Sequence, residues 1–206
     1  MTTVRPFAIL AAFLAFAGAP FGAPGSSALV SAATAQESPA GDFVRALGDN
    51  VIQVLKNEPY EGRKKKLHDI FTTAFDVDTM AKFAAGTYWR RADPAQQQEY
   101  LKLFGDYVAT LYANKFGDYS GQEFKVTGQR ASGDNDVAVE STIVQTSKPP
   151  VKVDFRVRKA AAGFKIVDVY VEGISLLITK RDEFTTVLAR EGMGGLLTRL
   201  RSTAQS

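Results

Sequence analysis

The chain has 206 residues, with 25 Lys and Arg against 22 Asp and Glu, so its formal net charge is only +3. A charge this small argues against binding to nucleic acid, although the calculated pI is about 9.0. The absence of cysteine and the single histidine exclude disulfides, thiol nucleophiles and the usual zinc sites. With 45% hydrophobic residues, the composition is that of one folded domain stabilised by its core.

The N-terminal segment has the pattern of a secretory signal peptide. Arg5 precedes an apolar stretch of 13 residues, Phe7–Ala19, and the small residues Ala33–Ala35 follow. This stretch falls short of the roughly 20 residues that a membrane-spanning helix needs, whereas small residues of this kind suit a signal peptidase. We therefore predict cleavage after Ala35, with residues 1–35 as the signal peptide and 36–206 as a single domain in the bacterial periplasm. An uncleaved membrane anchor is the alternative.

Apolar residues at three- and four-residue steps predict the first helices. One covers Asp42–Lys56, and a second covers about Arg63–Thr73 and opens with the basic run Arg63–Lys66. Cations at a helix N-terminus oppose the helix macrodipole, so this run is either a solvated helix face or a surface for a partner or membrane. A short third helix follows, for which Asp78 is the expected N-cap.

Asp93-Pro94 is the strongest helix start in the chain, because an N-cap acceptor precedes a proline at the first helical position. The predicted helix runs to about Phe116. Its aromatic-rich stripe is typical of core packing and consists of Tyr100, Leu103, Phe104, Tyr107, Leu111 and Tyr112.

Beyond Gly117 the apolar period changes to 2, which predicts four half-buried strands. They contain Phe124 and Val126, then Val137–Ile143, Val151–Val157 and Phe164–Val171, with turn-forming residues between them. A helix through about Arg190 follows Ser175, and Gly192–Gly195 separates it from a last helix, Leu196–Arg201. The predicted fold class is α+β: an antiparallel sheet of about four strands, with N- and C-terminal helices packed on its apolar face around a hydrophobic cavity.

The sequence offers little reactive chemistry. His68 has no serine or cysteine in a nucleophile-like context, and Gly133–Asp136 lacks the remaining ligands of a calcium loop, so no metal or other cofactor is expected. Asp168 in an apolar strand is the most suggestive carboxylate, and we interpret it as a satisfied structural acid. A carrier of apolar molecules, and not an enzyme, is therefore predicted. A lipid- or steroid-acting enzyme using Asp168 or a pocket tyrosine, and an adaptor in envelope assembly, are the alternatives.

An ordered series of motifs between about Phe43 and Leu200 resembles the MlaC or toluene-tolerance family. The series consists of Asp76–Ala81, Gly86–Arg90, Tyr112-Ala113 with Tyr119–Gly121, Val167–Leu176 and Arg181–Phe184. The resemblance implies a soluble, monomeric periplasmic carrier of phospholipid that maintains outer-membrane lipid asymmetry. The implied partners are an outer-membrane lipoprotein–porin complex and an inner-membrane ABC transporter with an MCE protein. Thr179-Lys180-Arg181 departs from the usual motif and resembles the hopanoid-associated HpnM branch, so a hopanoid is the alternative ligand.

We expect the lipid tails to lie between the apolar face of the sheet and the helices. The candidate lining residues are Val139, Val153, Phe155, Val167, Val169 and Val171 from strands, with Phe83, Phe104, Tyr107, Val108, Leu111, Ile174 and Leu177 from helices. Ordinary core packing is the alternative role for each of them. The sequence does not decide whether Ile166 or Val167 points to the apolar face of the sheet, because both faces of that strand carry apolar residues. Arg181 is expected to contact a headgroup or partner, or to form a helix-surface ion pair.

Overall fold

The computed structural model describes residues 38–115, 119–145 and 148–204, so the predicted signal peptide and its cleavage point lie outside the described residues. Within these ranges, five α-helices and a 3-10 segment accompany one five-stranded sheet. None of the described helices combines the length and the apolar character needed to cross a bilayer. The elements are α1 Pro39–Asn57, α2 Tyr60–Ala74, α3 Val77–Ala85, a 3-10 segment Gly86–Arg91, α4 Pro94–Lys115, β1 Glu123–Ala131, β2 Asp136–Val144, β3 Val151–Ala160, β4 Gly163–Val171, β5 Ile174–Ser175 and α5 Leu176–Ala204.

The first two helices each begin three residues before their predicted starts. Ser38 is the N-cap of α1, and its Oγ accepts a hydrogen bond from the backbone N–H of Gly41 at 3.1 Å. Pro39 occupies the first helical position, where its missing N–H costs nothing. Pro59 precedes α2 without a side-chain capping bond. The basic run Arg63–Lys66 therefore lies within the first two turns of α2 and does not open the helix.

The N-cap of α3 is Asp76, so the prediction of Asp78 was wrong. Asp76 accepts hydrogen bonds from the backbone N–H of Thr79 at 3.1 Å and from its hydroxyl at 2.8 Å. The preceding residues are fixed by the sheet, because Phe75 forms an isolated parallel bridge to Ile166 and the Asp76 N–H donates to the Ile166 carbonyl at 2.9 Å. Docking on β4 thus decides which of two suitable acids caps the helix.

The predicted start of α4 is confirmed. The carboxylate of Asp93 accepts a hydrogen bond from the backbone N–H of Gln96 at 2.8 Å, and Pro94 is the first helical residue. The helix runs to Lys115, close to its predicted end.

The antiparallel meander is also confirmed, with strand order β1-β2-β3-β4-β5. The tight turns at Gly133 and Gly163 require positive φ angles of 87° and 116°, which glycine adopts without strain. The two-residue strand β5 was not predicted. It pairs with Tyr170 and Val171 at the edge of β4.

A β-bulge in β4 decides which residues of this strand point to the apolar face, a question that the sequence left open. Arg156 pairs with Asp168 and Val157 pairs with Ile166, so Val167 is the extra residue. Ile166 and Val169 consequently lie on the same apolar face, together with Val171. The register shift comes from pairing with β3 and has no counterpart in the pattern of β4 alone.

The C-terminal helix α5 is interrupted at Gly192, where φ is 64° and ψ is −169°. The predicted break after Arg190 is therefore present, but it is a single non-helical residue and not a four-residue linker.

Candidate functional site

The buried apolar side chains form two main cores, and Phe75 packs against both. We call the first the sheet core, which consists of Ala40, Val44, Val139, Val153, Val157, Ile166 and Val169. We call the second the helical core, which is built mainly from α3, α4 and α5 and includes Met80, Tyr100, Phe104, Val108, Phe184, Leu188 and Leu196. The start of α5 joins them, because Leu176 packs on the sheet core while Leu177 belongs to the helical core.

The apolar face of the sheet is incompletely covered. Ile143, Val151, Phe155 and Val171 lie on three neighbouring strands and are only half-buried, although all four pack against the sheet core. Interior strands of a closed, well-packed domain normally bury this face fully. The exposed part of these side chains is therefore an apolar surface that could hold a further apolar molecule.

Helix α4 supplies a second apolar surface at the edge of the helical core. Tyr100, Phe104 and Val108 are buried, whereas Leu103 and Tyr107 are half-buried. The ring of Tyr107 lies 5.9 Å from that of Phe184 on α5, and the amine of Lys180 lies 5.7 Å from the Tyr107 ring. An aromatic and a lysine thus meet at the α4–α5 groove.

The thirteen predicted lining residues occupy five kinds of place. Those that form or pack on the sheet core are Val139, Val153, Phe155, Val169 and Val171. Those that form or pack on the helical core are Phe104, Tyr107, Val108 and Leu177. Val167 is buried in the bulge, and Leu111 is half-buried on α4. Phe83 and Ile174 are exposed, by 37% and 63%, and lie on the surface.

Sequence reasoning missed several residues that build the same surfaces. Ile166 was concealed by the bulge, while Phe75 and Leu176 sit at element boundaries that join the two cores. Ile143 and Val151 were part of the strand pattern, and their regular alternation was a signal that could have placed them on the inner face.

Asp168 is fully engaged in holding the start of α5. Its carboxylate accepts hydrogen bonds from the backbone N–H of Val169 at 2.8 Å, the hydroxyl of Ser175 at 2.7 Å and the backbone N–H of Leu177 at 3.2 Å. Ser175 in turn accepts from the N–H of Ile178 at 3.0 Å, as a helix N-cap does. With both carboxylate oxygens occupied, Asp168 is suited to a structural role.

Arg181 does not form an ion pair with any described residue. Its guanidinium lies 4.7 Å from the ring centroid of Phe83, and its side chain is also close to Gly86. The expected helix-surface ion pair is therefore replaced by a cation–π contact. Two exposed isoleucines are nearby in the sequence: Ile174 in β5 and Ile178 in the first turn of α5.

A pocket of about 300 Å³ lies between α2 and α4 and is lined by Lys64, Lys65, His68, Ala109 and Thr110. His68 spans the two helices, with Nε2 3.1 Å from Oδ1 of Asp106. The other ring nitrogen of His68, Nδ1, lies 3.7 Å from a carboxylate oxygen of Asp69, the next residue in the chain. No group of three or more potential metal ligands occurs among the residues that the structure describes.

Comparison with known proteins gives a consistent result. The family model described as MlaC protein matches residues 45–202. An intermembrane phospholipid transport system binding protein MlaC from Haemophilus influenzae is 24% identical over 123 residues, which span 58% of this chain and 58% of that protein. The toluene tolerance protein ttg2D of Pseudomonas putida is 23% identical over 168 residues, or 79% of this chain and 77% of its own length.

A solved structure is similar over most of the chain. It is that of a phospholipid-binding protein from Ralstonia solanacearum in complex with a phospholipid. The match has a TM-score of 0.72 and 28% sequence identity, and it covers 82% of this chain and 98% of the other. The arrangement of helices and sheet described above is therefore shared with a protein that binds a phospholipid.

Proposed function

Because this chain belongs to the MlaC protein family, we propose that its mature form is a carrier that binds one phospholipid and moves it between two membranes. The acyl chains lie between the apolar face of the sheet and the helices, and the headgroup lies towards water. The half-buried side chains of Ile143, Val151, Phe155 and Val171 carry this proposal, since they leave part of the sheet's apolar face uncovered. The phospholipid complex of the similar Ralstonia protein supports it.

The energetics of hydrocarbon transfer explain why such a surface is needed. At about 0.8 kcal/mol per methylene, two acyl chains with about thirty methylenes in total would cost about 24 kcal/mol to expose to water. A carrier can extract a lipid only if its own apolar surface replaces nearly all of the bilayer's. The free energy of transfer between membrane and carrier is then close to zero, and contacts with partner complexes set the direction of transfer.

The cellular setting belongs to the same proposal. The signal-peptide pattern of residues 1–35 favours export to the periplasm. There the carrier exchanges lipid with an outer-membrane lipoprotein–porin complex and with an inner-membrane ABC transporter that contains an MCE protein. The name of the Haemophilus relative, an intermembrane phospholipid transport system binding protein, supports a role within such a system. ATP hydrolysis by the transporter supplies the driving force, so the carrier needs no catalytic residue of its own.

A vesicle transfer assay tests the proposed function. Donor vesicles contain a fluorescent phospholipid with a quencher, and acceptor vesicles contain neither. We expect the rate of dequenching to rise in proportion to the concentration of the purified mature protein. Transfer no faster than without protein, from a folded sample, would contradict the carrier role. Selective transfer of a hopanoid would keep the carrier role and overturn the choice of ligand.

A further inference from the structure

The exposed large apolar side chains gather at the start of α5. In the part of the chain that the structure describes, they are Phe83, Ile174 and Ile178, which are exposed by 37%, 63% and 50%. Arg181 links two of them, because its guanidinium lies 4.7 Å from the Phe83 ring centroid and residues three apart, such as Ile178 and Arg181, are neighbours on a helix surface. We call these four residues the outer patch. Apolar side chains exposed together, unlike single scattered ones, mark an interaction surface.

The junction between β5 and α5 explains why both isoleucines face outward. The Oγ of Ser175 accepts a hydrogen bond from the backbone N–H of Ile178 at 3.0 Å, which holds Ile178 close to the residue that follows Ile174. Leu176 packs on the sheet core and Leu177 belongs to the helical core. Successive helical residues point about 100° apart, so Ile178 is turned away from both cores. Neither core needs an isoleucine there, and such an exposed apolar residue is expected where a binding surface requires it.

The outer patch is continuous with the face of the sheet assigned to the acyl chains. Ile174 pairs with Val171 in the strand register, and directly paired residues carry their side chains on the same face of a sheet. The turn between β4 and β5 lies beside the start of β3, because the N–H of Glu172 donates to the carbonyl of Lys152 at 3.0 Å. Val151, the neighbour of Lys152, is half-buried on the same apolar face. The apolar surface therefore runs from the half-buried strands over the sheet edge to solvent.

The charges around the outer patch do not by themselves select a strongly acidic or basic partner. Arg181 makes no ion pair with any described residue, and the exposed Asp182 also has none within the described ranges. Glu183 pairs with Lys180 at 2.5 Å. The apolar side chains therefore decide what binds here. Exposed isoleucines beside an arginine stacked on an aromatic ring suit the boundary between hydrocarbon and water, where the apolar groups enter the acyl region and the cation stays at the phosphates.

We propose that the outer patch docks the carrier on the surface of a phospholipid bilayer, with Ile174 and Ile178 in the acyl region and Arg181 at the lipid phosphates. The inference rests on the proposed function, because a lipid that leaves the bilayer at this patch moves along an apolar surface towards the acyl-chain face. Three partly exposed side chains give weak, reversible attachment. Such attachment suits a carrier that must leave the membrane again.

Flotation of the purified mature protein with vesicles tests the apolar part of the outer patch. One set of vesicles contains phosphatidylcholine alone, and the other contains phosphatidylcholine with phosphatidylglycerol. We expect Ile178→Ser to weaken binding to both sets about fivefold, because it removes exposed apolar area. Ile178→Leu keeps that area and should stay within about twofold of the unmodified protein. Because Ile178 belongs to neither core, the phospholipid bound per molecule should be the same in both variants as in the unmodified protein.

A matched pair of arginines tests the polar part. Arg181→Gln should weaken binding to the vesicles with phosphatidylglycerol about threefold and leave binding to phosphatidylcholine alone nearly unchanged. Arg190→Gln is the control, because Arg190 is also exposed on α5 but lies nine residues further along, on the opposite side of the helix. Its effect should be below about twofold.

The outcomes separate membrane docking from lipid carriage. Binding of Ile178→Ser equal to that of the unmodified protein would overturn the outer patch as the docking surface. Equal losses in Arg181→Gln and Arg190→Gln would show a general effect of net charge and overturn the role of Arg181. Folded protein that holds a phospholipid but floats with neither set of vesicles would overturn bilayer docking, in favour of a protein partner, and leave the carrier intact. Ile178-dependent flotation of a folded protein that binds no lipid would support docking and overturn the carrier.

Discussion

Asp168 illustrates how one residue can be assigned from the sequence and then explained by the structure. Its position in an apolar strand indicates a satisfied structural acid, and its hydrogen bonds to Val169, Ser175 and Leu177 give the reason. The sequence could not name these donors, because Ser175 and Leu177 reach Asp168 only after β5 has turned back along β4.

Replacement of Asp168 separates a structural from a ligand-binding or catalytic role. Asp168→Asn removes the charge and places an amide NH2 near three donors, so we expect unfolding free energy to fall by about 2–3 kcal/mol in urea titrations. Asp182→Asn, on the exposed face of α5, should change it by less than about 0.5 kcal/mol. Lipid bound per folded molecule should equal that of the unmodified protein. A folded Asp168→Asn protein that no longer binds lipid would contradict the structural assignment.

Tyr100 should make stability depend on alkaline pH. It is completely buried in the helical core, its hydroxyl donates to the Ala81 carbonyl at 2.9 Å, and burial raises its pKa far above the ordinary value. Because the pKa of Tyr100 is higher in the folded chain than in the unfolded chain, the contribution of its protonated hydroxyl to the free energy of unfolding is complete below pH about 10. Above that, the unfolded chain releases the proton and the folded chain does not, so stability falls by about 1.4 kcal/mol per pH unit.

The comparison with Tyr100→Phe isolates this effect. At pH 8 the variant should be about 1 kcal/mol less stable, because it lacks the hydrogen bond to Ala81. Between pH 8 and pH 11 the unmodified protein should lose about 1.4 kcal/mol relative to the variant, as measured by urea unfolding at each pH, so that the difference disappears or slightly reverses. A difference that stays constant over this range would contradict the account of Tyr100.

At the scale of elements, hydropathy period and capping chemistry predict most of the fold, while contacts between elements decide the rest. The change of period after α4 predicted the meander, and Asp93-Pro94 predicted where α4 begins. The choice of Asp76 over Asp78, and the bulge at Val167, depend on pairing with distant strands. Neither could be read from local sequence.

The exposure of Phe83 shows the same limitation in the candidate site. Helix α3 packs into the helical core through Met80, Ala81, Ala84 and Ala85, whose mostly small side chains allow a close approach. Phe83 then lies on the outer side under Arg181. In a short helix with apolar residues on several sides, the sequence alone cannot select the inner face.

The break in α5 gives a sharp prediction at two neighbouring glycines. Gly192 has a φ of 64° and a ψ of −169°, a region that other residues adopt only with strain, whereas Gly194 does not have a positive φ. Gly192→Ala should therefore destabilise the protein by about 1–3 kcal/mol. Gly194→Ala has open space around the new methyl group and should stabilise by up to about 1 kcal/mol. Thermal unfolding of both variants checks this, and equal effects would contradict a required kink at Gly192.

The two faces of the sheet should respond differently to a new charge. Phe155→Glu places a carboxylate on the half-buried apolar face, where it would meet acyl chains, and should reduce lipid binding at least tenfold. Thr142→Glu is the control, since its position on the opposite face lies between Lys125 and Lys152 in the strand register. Lipid extraction from equal amounts of folded protein measures both. Full lipid content in folded Phe155→Glu would place the tails elsewhere.

For the whole molecule, the essential feature is the division of the apolar interior into a sheet core and a helical core that meet at Phe75 and the start of α5. The sequence predicted the α+β arrangement and part of both cores, but it missed Ala40, Val44 and Ile166 of the sheet core. The MlaC resemblance is confirmed by the family match over residues 45–202. The sequence could not predict that the interior is divided into two cores, because packing between elements far apart in the chain creates that division. A molecule that carries hydrocarbon needs this kind of interior, in which apolar surfaces are not all packed against each other.

Native mass spectrometry of the exported, mature protein tests the central claim most directly. We expect a species heavier than the polypeptide by the mass of one phospholipid, with the same phospholipid recovered by solvent extraction. After delipidation, incubation with phospholipid vesicles should restore that mass. A polypeptide that carries no lipid as isolated and takes up none from vesicles, while remaining folded, would contradict the account.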